Sequence, residues 1–344
     1  MSEAGALQPP RPGETIEIAE GILWLRLPLP LRLDHVNVYL IEEEGGFAVI
    51  DTGWPDETTQ AIWHSLLAGL IGRQRITRVI ATHHHPDHVG NAGWLARLAE
   101  APLLMSETEY LLTVARAAGV FEQARDTYLN FYASHGLAPA IANNLLDTIR
   151  QYGQMVTPLP PQFTALHAGA ILTIGGRNFK LLHGGGHSNQ QVMLHCVEEK
   201  IFFSVDQVLP DITPHIGVWP IEPDASPLGL FLASLSAIRA EIADDVLVLP
   251  GHKLPFRGLH ARIAEIAAHH AAICDRIATI AASHPCNVNA INEQIFNRPL
   301  DNRNKGLAFS ETLAHVNLML RQGRLQRADD PAGKRFITTD AGSR

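Results

Sequence analysis

Four side chains able to bind a metal, His83, His85, Asp87 and His88, fall within six residues of the segment Thr82-His83-His84-His85-Pro86-Asp87-His88. Alternate residues of an extended stretch point the same way, so His83 and His85 can reach one cation. Asp87 and His88, at the start of a following helix, turn toward a second. The three cysteines, Cys196, Cys274 and Cys286, are too few and too scattered for a thiolate cluster or a disulfide framework. Any metal must therefore be held by imidazole and carboxylate, a donor set that suits zinc.

One cluster supplies only part of two coordination shells, so further donors must arrive from elsewhere. They stand in Gly184-Gly185-Gly186-His187-Ser188, at Asp206 after the apolar run Ile201 to Val205, and in Pro250-Gly251-His252 after Val246 to Leu249. Each follows a buried strand, where active sites of α/β folds collect, and the glycines let the backbone turn close to a ligand. The chain has 18 histidines. His64, His167, His195, His260, His269, His270, His284 and His315 lack this context and read as ordinary packing or surface residues.

The elements that must position these residues are legible from periodicity. Ile16 to Leu27 begins a β run, Val36 to Ile41 alternates around Asn37 and Tyr39, and Phe47 to Ile50 ends at the turn Asp51-Thr52-Gly53. Glu57 to Leu70 is helical, Ile76 to Ala81 a strand, and Gly90 to Glu100 helical again, which predicts an α/β layer architecture. Residues 106 to 154 read as a helical insertion carrying most of the tyrosines, before the hinge TPLPPQ. Strands return at Ala170 to Ile174, Arg177 to Leu182, Gln191 to Val197 and Lys200 to Val205, followed by an amphipathic helix from Ser226 to Ile242.

Beyond Gly258 the character changes. Helices are expected at about His260 to Ala282, Val288 to Phe296 and Leu307 to Gln322, then two short strands around Asp329-Asp330-Pro331-Ala332-Gly333, the order of a winged helix. This tail holds 11 Lys and Arg against 8 Asp and Glu, leaving 16 against 27 for the rest. The expected division is a catalytic domain over 1–258, with the insertion at about 106–157, and a winged-helix-like domain over 259–344.

With 344 residues, 46% of them hydrophobic and 18% charged, and a mean hydropathy of +0.02, the chain is that of a globular protein with a sizeable core. A net charge of −8 argues against a surface dedicated wholly to nucleic acid. No apolar run approaches a membrane span and the first residues lack a signal-peptide pattern, so the expectation is a cytoplasmic protein with no membrane partner.

The ligand pattern H-x-H-x-D-H, followed by His187, Asp206 and His252, resembles the metallo-β-lactamase superfamily over roughly residues 16 to 258. The resemblance implies an αββα sandwich with metals at one edge between two sheets. It implies that His83, His85 and His187 hold one metal, that Asp87, His88 and His252 hold the other, and that Asp206 bridges them. Asp51 would orient ligands without binding metal itself. The cofactors implied are two zinc ions, with iron or manganese as other occupants. Val205 and Lys253 stand where the family usually has glycine, and Lys253 could offer a cation to an anionic substrate.

A metal-bridging hydroxide is the nucleophile such a site supplies at neutral pH, with Asp87 as the catalytic carboxylate that orients it. Two functions remain open: hydrolysis of a small acyl compound such as a thioester, lactone or similar ester or amide, and metal-dependent cleavage of single-stranded RNA aided by the tail. His85 argues against the diiron flavoprotein branch, which has Glu there.

The overall plan resembles the lactamase-β-like subgroup with a winged-helix tail. In that group a stretch such as Asp206 to Pro210 leads into Thr213-Pro214-His215 and Trp219-Pro220, so His215 and Trp219 are expected to border the substrate pocket. Tyr128 and Tyr132 of the insertion are expected to wall it as part of a lid. The helix expected from Leu307 is mostly apolar, so sequence-specific DNA binding is not expected; the tail should pack beside the mouth or at a homodimer interface.

Overall fold

A computed structural model describes residues 8–70, 72, 75–297, 299–328 and 333–338. Two sheets face each other. The first has seven strands in sequence order: β1 (Thr15–Ala19), β2 (Ile22–Pro28), β3 (His35–Glu43), β4 (Gly46–Ile50), β5 (Arg75–Ile80), β6 (Leu103–Met105) and β7 (Thr164–Ala165). Pairing is antiparallel from β1 to β4 and parallel from β4 to β7. The second has five: β8 (Ile171–Ile174), β9 (Arg177–Gly184), β10 (Gln191–Cys196), β11 (Ile201–Val205) and β12 (Leu247–Pro250), in the order β12-β11-β10-β9-β8.

Strand alternation divides the core into layers. Trp24, Tyr39, Ile50 and Ile80 point inward from the first sheet to meet Phe179, Leu194, Ile201, Phe203 and Leu249 of the second. Their neighbours Leu25, Val38, Val49 and Val79 face outward onto α1 (Glu57–Ala68) and α3 (Ala92–Ala99), where Trp63 and Leu95 close the layer. Met193, Phe202 and Val248 face outward from the second sheet onto α7 (Pro227–Glu241). The result is the expected αββα sandwich.

The insertion folds as α4 (Glu107–Ala117), α5 (Arg125–Ser134) and α6 (Pro139–Gln151), following the one-turn helix α2 (Pro86–Val89) and α3 in the chain. The tail has α8 (Leu259–Ser283), α9 (Val288–Ile295), α10 (Asn302–Arg321) and the antiparallel hairpin of β13 (Leu325–Ala328) and β14 (Arg335–Thr338). The turn residues 329–332, including Asp329 and Asp330, lie outside the described residues. α10 starts five residues before the expected Leu307 because Asp301 caps it, its Oδ1 accepting from Asn304 N at 2.8 Å. Its first turn is polar, so hydrophobic spacing missed it.

Tail, insertion and α7 share one core. Tyr128, Tyr132, Leu145 and Leu146 of the insertion pack with Phe309, Leu313 and Val316 of α10 and with Ile263 and Ile277 of α8. Tyr132 is fully buried, its ring centroid 6.1 Å from that of Phe309, and Tyr128 is 6% exposed. Both rings pack the insertion against the tail.

Candidate metal centre

All the expected donors arrive at one edge of the sandwich, at the carboxyl ends of strands. β5 runs into Ala81 and Thr82 and delivers His83 to His88; β4 ends at Asp51, β9 leads to His187, β11 to Asp206 and β12 to His252. The two sheets are tied at this edge by Val192 N, which donates to Thr82 O at 2.9 Å. His85 precedes α2 with extended backbone, and Pro86 occupies the first helical position, where its missing N–H costs nothing. That break turns Asp87 and His88 onto the helix, with the His88 ring centroid still 4.1 Å from that of His83.

Asp206 lies at the centre. Its Oδ2 is 3.4 Å from His88 Nε2, 3.3 Å from His187 Nε2 and 3.3 Å from His252 Nε2. Asp87 Oδ2 is 3.4 Å from His252 Nε2 and 3.6 Å from His88 Nε2. His83 Nε2 and His85 Nδ1 face each other at 3.0 Å. Within each of three groups, His83, His85 and His187, then His83, His88 and Asp206, then Asp87, His88 and His252, the donor atoms all lie within 4.8 Å of one another.

The outer nitrogens of three rings set their tautomers. His88 Nδ1 donates to Asp51 Oδ2 at 2.7 Å, His187 Nδ1 to His215 O at 3.0 Å, and His252 Nδ1 to His35 O at 2.8 Å. A neutral imidazole that donates from Nδ1 carries its lone pair on Nε2. Three lone pairs therefore converge on a carboxylate, and His88 Nε2, His187 Nε2 and Asp206 Oδ1 are buried without a hydrogen-bond partner. Acceptors facing acceptors in a desolvated space fit cations.

The electrostatics tell the same story. Burial, then the neighbouring His88, holds His83 well below the usual imidazole range, and burial, then His187, does so for His85. Burial also opposes charge on His252, yet Asp206 and then Asp87 outweigh it and push the ring up to about 10. His88 is raised well above its ordinary value against burial by Asp206, Asp87 and Asp51. Burial pushes the Asp206 carboxyl up, but His252 and His88 more than compensate and hold it well below the carboxylate range.

Other expected residues stand differently. Asp51 accepts from Thr82 N at 2.8 Å and Thr82 Oγ1 at 2.9 Å besides holding His88, so it braces the ligand loop. His215 serves through its backbone: its ring turns away to α10, where Nε2 lies 3.1 Å from Leu307 O and 3.0 Å from Ser310 Oγ. Trp219 packs against the shared core, 5.9 Å from the His215 ring. Both side chains are half-buried among these contacts. Lys253 uses its backbone, N donating to His35 Nε2 at 2.9 Å and O accepting from Arg26 Nη2 at 2.7 Å and Asn37 Nδ2 at 3.0 Å.

Sequence reasoning missed the buttresses. Glu109 is fully buried; its Oε2 accepts from His84 N at 2.9 Å and pairs with His84 Nδ1 at 2.6 Å, while Oε1 accepts from Gln190 N at 2.7 Å. Asn37 Nδ2 donates to Pro250 O at 2.9 Å, and Tyr39 OH donates to the same carbonyl at 2.8 Å. The signal was present: Asn37 stands in an otherwise apolar strand, where an amide must have buried partners.

Comparison with known proteins agrees with this geometry. Residues 31–252 match the family model described as metallo-beta-lactamase superfamily, and residues 274–339 match the metallo-beta-lactamase-like C-terminal domain. The chain is 35% identical to a beta-lactamase domain protein from Burkholderia ambifaria, with a TM-score of 0.88 over 98% of this chain and 97% of that one. It is 25% identical to a metallo-beta-lactamase family protein from Thermus thermophilus, with a TM-score of 0.79 over 94% of this chain and 100% of that one. It is 26% identical to the acyl-coenzyme A thioesterase MBLAC2 of Gallus gallus, a likeness covering 77% of this chain and 89% of that one. The chain belongs to the metallo-β-lactamase superfamily and is a hydrolase of that group.

Proposed function

We propose that the protein is a dinuclear zinc hydrolase of a small acyl substrate, a thioester before a lactone or other ester. The observation that carries the reading is the convergence of unpartnered Nε2 lone pairs on Asp206. His83, His85 and His187 would hold one zinc ion, Asp87, His88 and His252 the other, and Asp206 both; the same nitrogen and oxygen donors suit iron or manganese. Two such ions supply an acidified water and an electrophile for the substrate's carbonyl oxygen. The thioester preference rests on the likeness to the Gallus gallus thioesterase.

The chain's own residues set the rest. Asp51 fixes the His88 ring through Nδ1, and the carbonyls of His35 and His215 fix His252 and His187. Asp87 is the catalytic carboxylate: burial raises its pKa, but His88 and His252 bring it below the ordinary value, so it stays ionised to orient and accept a proton. The tail does not favour the RNA reading. Twelve of the 20 residues of α10 are buried, so that helix is not free to enter a groove.

Protein prepared without added metal should carry close to two zinc ions per chain by elemental analysis; one iron and no zinc would overturn the reading. Screening against thioesters, lactones, a chromogenic lactam and single-stranded RNA identifies the substrate class. Asp87→Ala should abolish hydrolysis while circular dichroism stays unchanged, since Asp87 sits half-buried in the one-turn helix α2 and not in the core.

A further inference from the structure

Arg116 on α4 has no use in the metal centre. Among the described residues no carboxylate lies within ion-pair distance of it, and its Nε is buried without a hydrogen-bond partner. Positions 109, 113 and 116 recur at helical spacing, so Arg116 shares a face of α4 with Glu109. Glu109 grips His84, between two expected ligands. The guanidinium carbon of Arg116 stands 5.8 Å from the centroid of Tyr152, whose hydroxyl donates to His84 O. Seven residues of helix separate Arg116 from Glu109, roughly 10 Å.

A half-buried cation without a counterion destabilises the fold, and a methionine would fill the same space without that penalty. The nearby carboxylate of Glu109 is already engaged by His84 and Gln190 N. Arginine in place of lysine supplies a planar fork that matches a carboxylate or phosphate with two parallel hydrogen bonds. The guanidinium lies over the Tyr152 ring, at the outer limit of a cation–π contact. We propose that Arg116 binds an anionic group, carboxylate or phosphate, of the acyl substrate, roughly 10 Å from the Glu109–His84 anchor of the metal loop.

This inference rests on the acyl-hydrolase reading, and the test separates the two. Zinc-loaded wild type, Arg116→Met and Arg116→Lys are compared on three thioesters: a neutral one, one with a carboxylate on the acyl chain, and one with a phosphate on the thiol leaving group. For one of the anionic thioesters, Arg116→Met should lower kcat/KM about tenfold to a hundredfold, mostly through KM. The neutral thioester should change little, Arg116→Lys should recover part of the loss, and the Tm of Arg116→Met should match or exceed that of wild type. Whichever anionic substrate loses identifies the source of the charge. Equal losses on all three, or none on either anionic one, would overturn the role of Arg116 while leaving the hydrolase reading intact. If wild type hydrolyses no thioester, the thioester preference fails and sulfate decides the site: a rise in Tm with millimolar sulfate that Arg116→Met abolishes sustains it, and an equal rise in both overturns it.

Discussion

Val205 and Lys253 both adopt left-handed backbone, with φ of 48° and 71°, a conformation that favours glycine. Each flanks a proposed ligand, Asp206 and His252. A side chain with a Cβ in this region costs about 1 to 2 kcal/mol. Lys253 is half-buried and bonds its neighbours through its backbone, so the strain can be tested there. Lys253→Gly should be about 1 kcal/mol more stable than Lys253→Ala by urea unfolding, since only glycine relaxes the backbone. Gly251 is constrained the other way: a Cβ there would come within 2.2 Å of Asp206 Oδ1 and 2.9 Å of His88 Cε1. Its hydrogen is what lets β12 pass beside the carboxylate.

The strand β3 is the element that fixes the far side of the site. Its inward row presents Asn37 and Tyr39, and both donate to Pro250 O, while Asn37 Oδ1 accepts from Trp24 Nε1 at 2.9 Å. Asn37 N also donates to Gly251 O at 2.7 Å. Asn37→Ala would leave the indole N–H and a carbonyl buried with fewer partners, a loss of about 2 to 3 kcal/mol in chemical unfolding. The loop carrying His252 would lose its anchor, so chelator competition should show zinc held about tenfold more weakly. Unchanged zinc affinity in that variant would mean that His252 is positioned by its own loop alone. On the other side of the site Glu109 of α4 and the Tyr152 hydroxyl, which follows α6, play the matching part by holding His84.

At the scale of the molecule, the tail is built into the same core as the insertion and the second sheet, which places a glutamate in an awkward position. Burial pushes the Glu311 carboxyl up to about 7 from an ordinary 4.5. Below pH 4.5 both folded and unfolded chains carry the proton and the residue is neutral to stability. As pH rises toward 7 the unfolded chain ionises first, so stability falls, and the loss is complete above about 7. Glu311→Gln should therefore raise stability by roughly 2 to 3 kcal/mol near pH 8 and leave it nearly unchanged near pH 4, as read from urea midpoints. A gain independent of pH would point to packing instead. Among the described residues no helix is long and apolar enough to cross a membrane.

The sequence by itself determined an α/β layer architecture and a set of candidate donors, and its resemblance to the metallo-β-lactamase superfamily implied the sandwich. Strand and helix periods are local, and a donor just past an apolar strand is forced to the sheet edge, so His83 to His88, His187, Asp206 and His252 could be placed there before any contact was known. What the side chains beyond that edge touch was decided only by tertiary structure. Tyr128 and Tyr132 carry the composition of a pocket wall but are buried against α10, because partners more than 150 residues away in sequence leave no local signature. His215 shows the same limit. Its backbone carbonyl holds His187 while its ring belongs to the tail, and the direction of a ring in a Pro-rich loop is set by what packs on it. Arg116 and Glu109 are both ordinary charged residues of one helix until the fold brings His84 to one and, among the described residues, leaves the other without a counterion, since pairing of buried charge is a property of the packed whole.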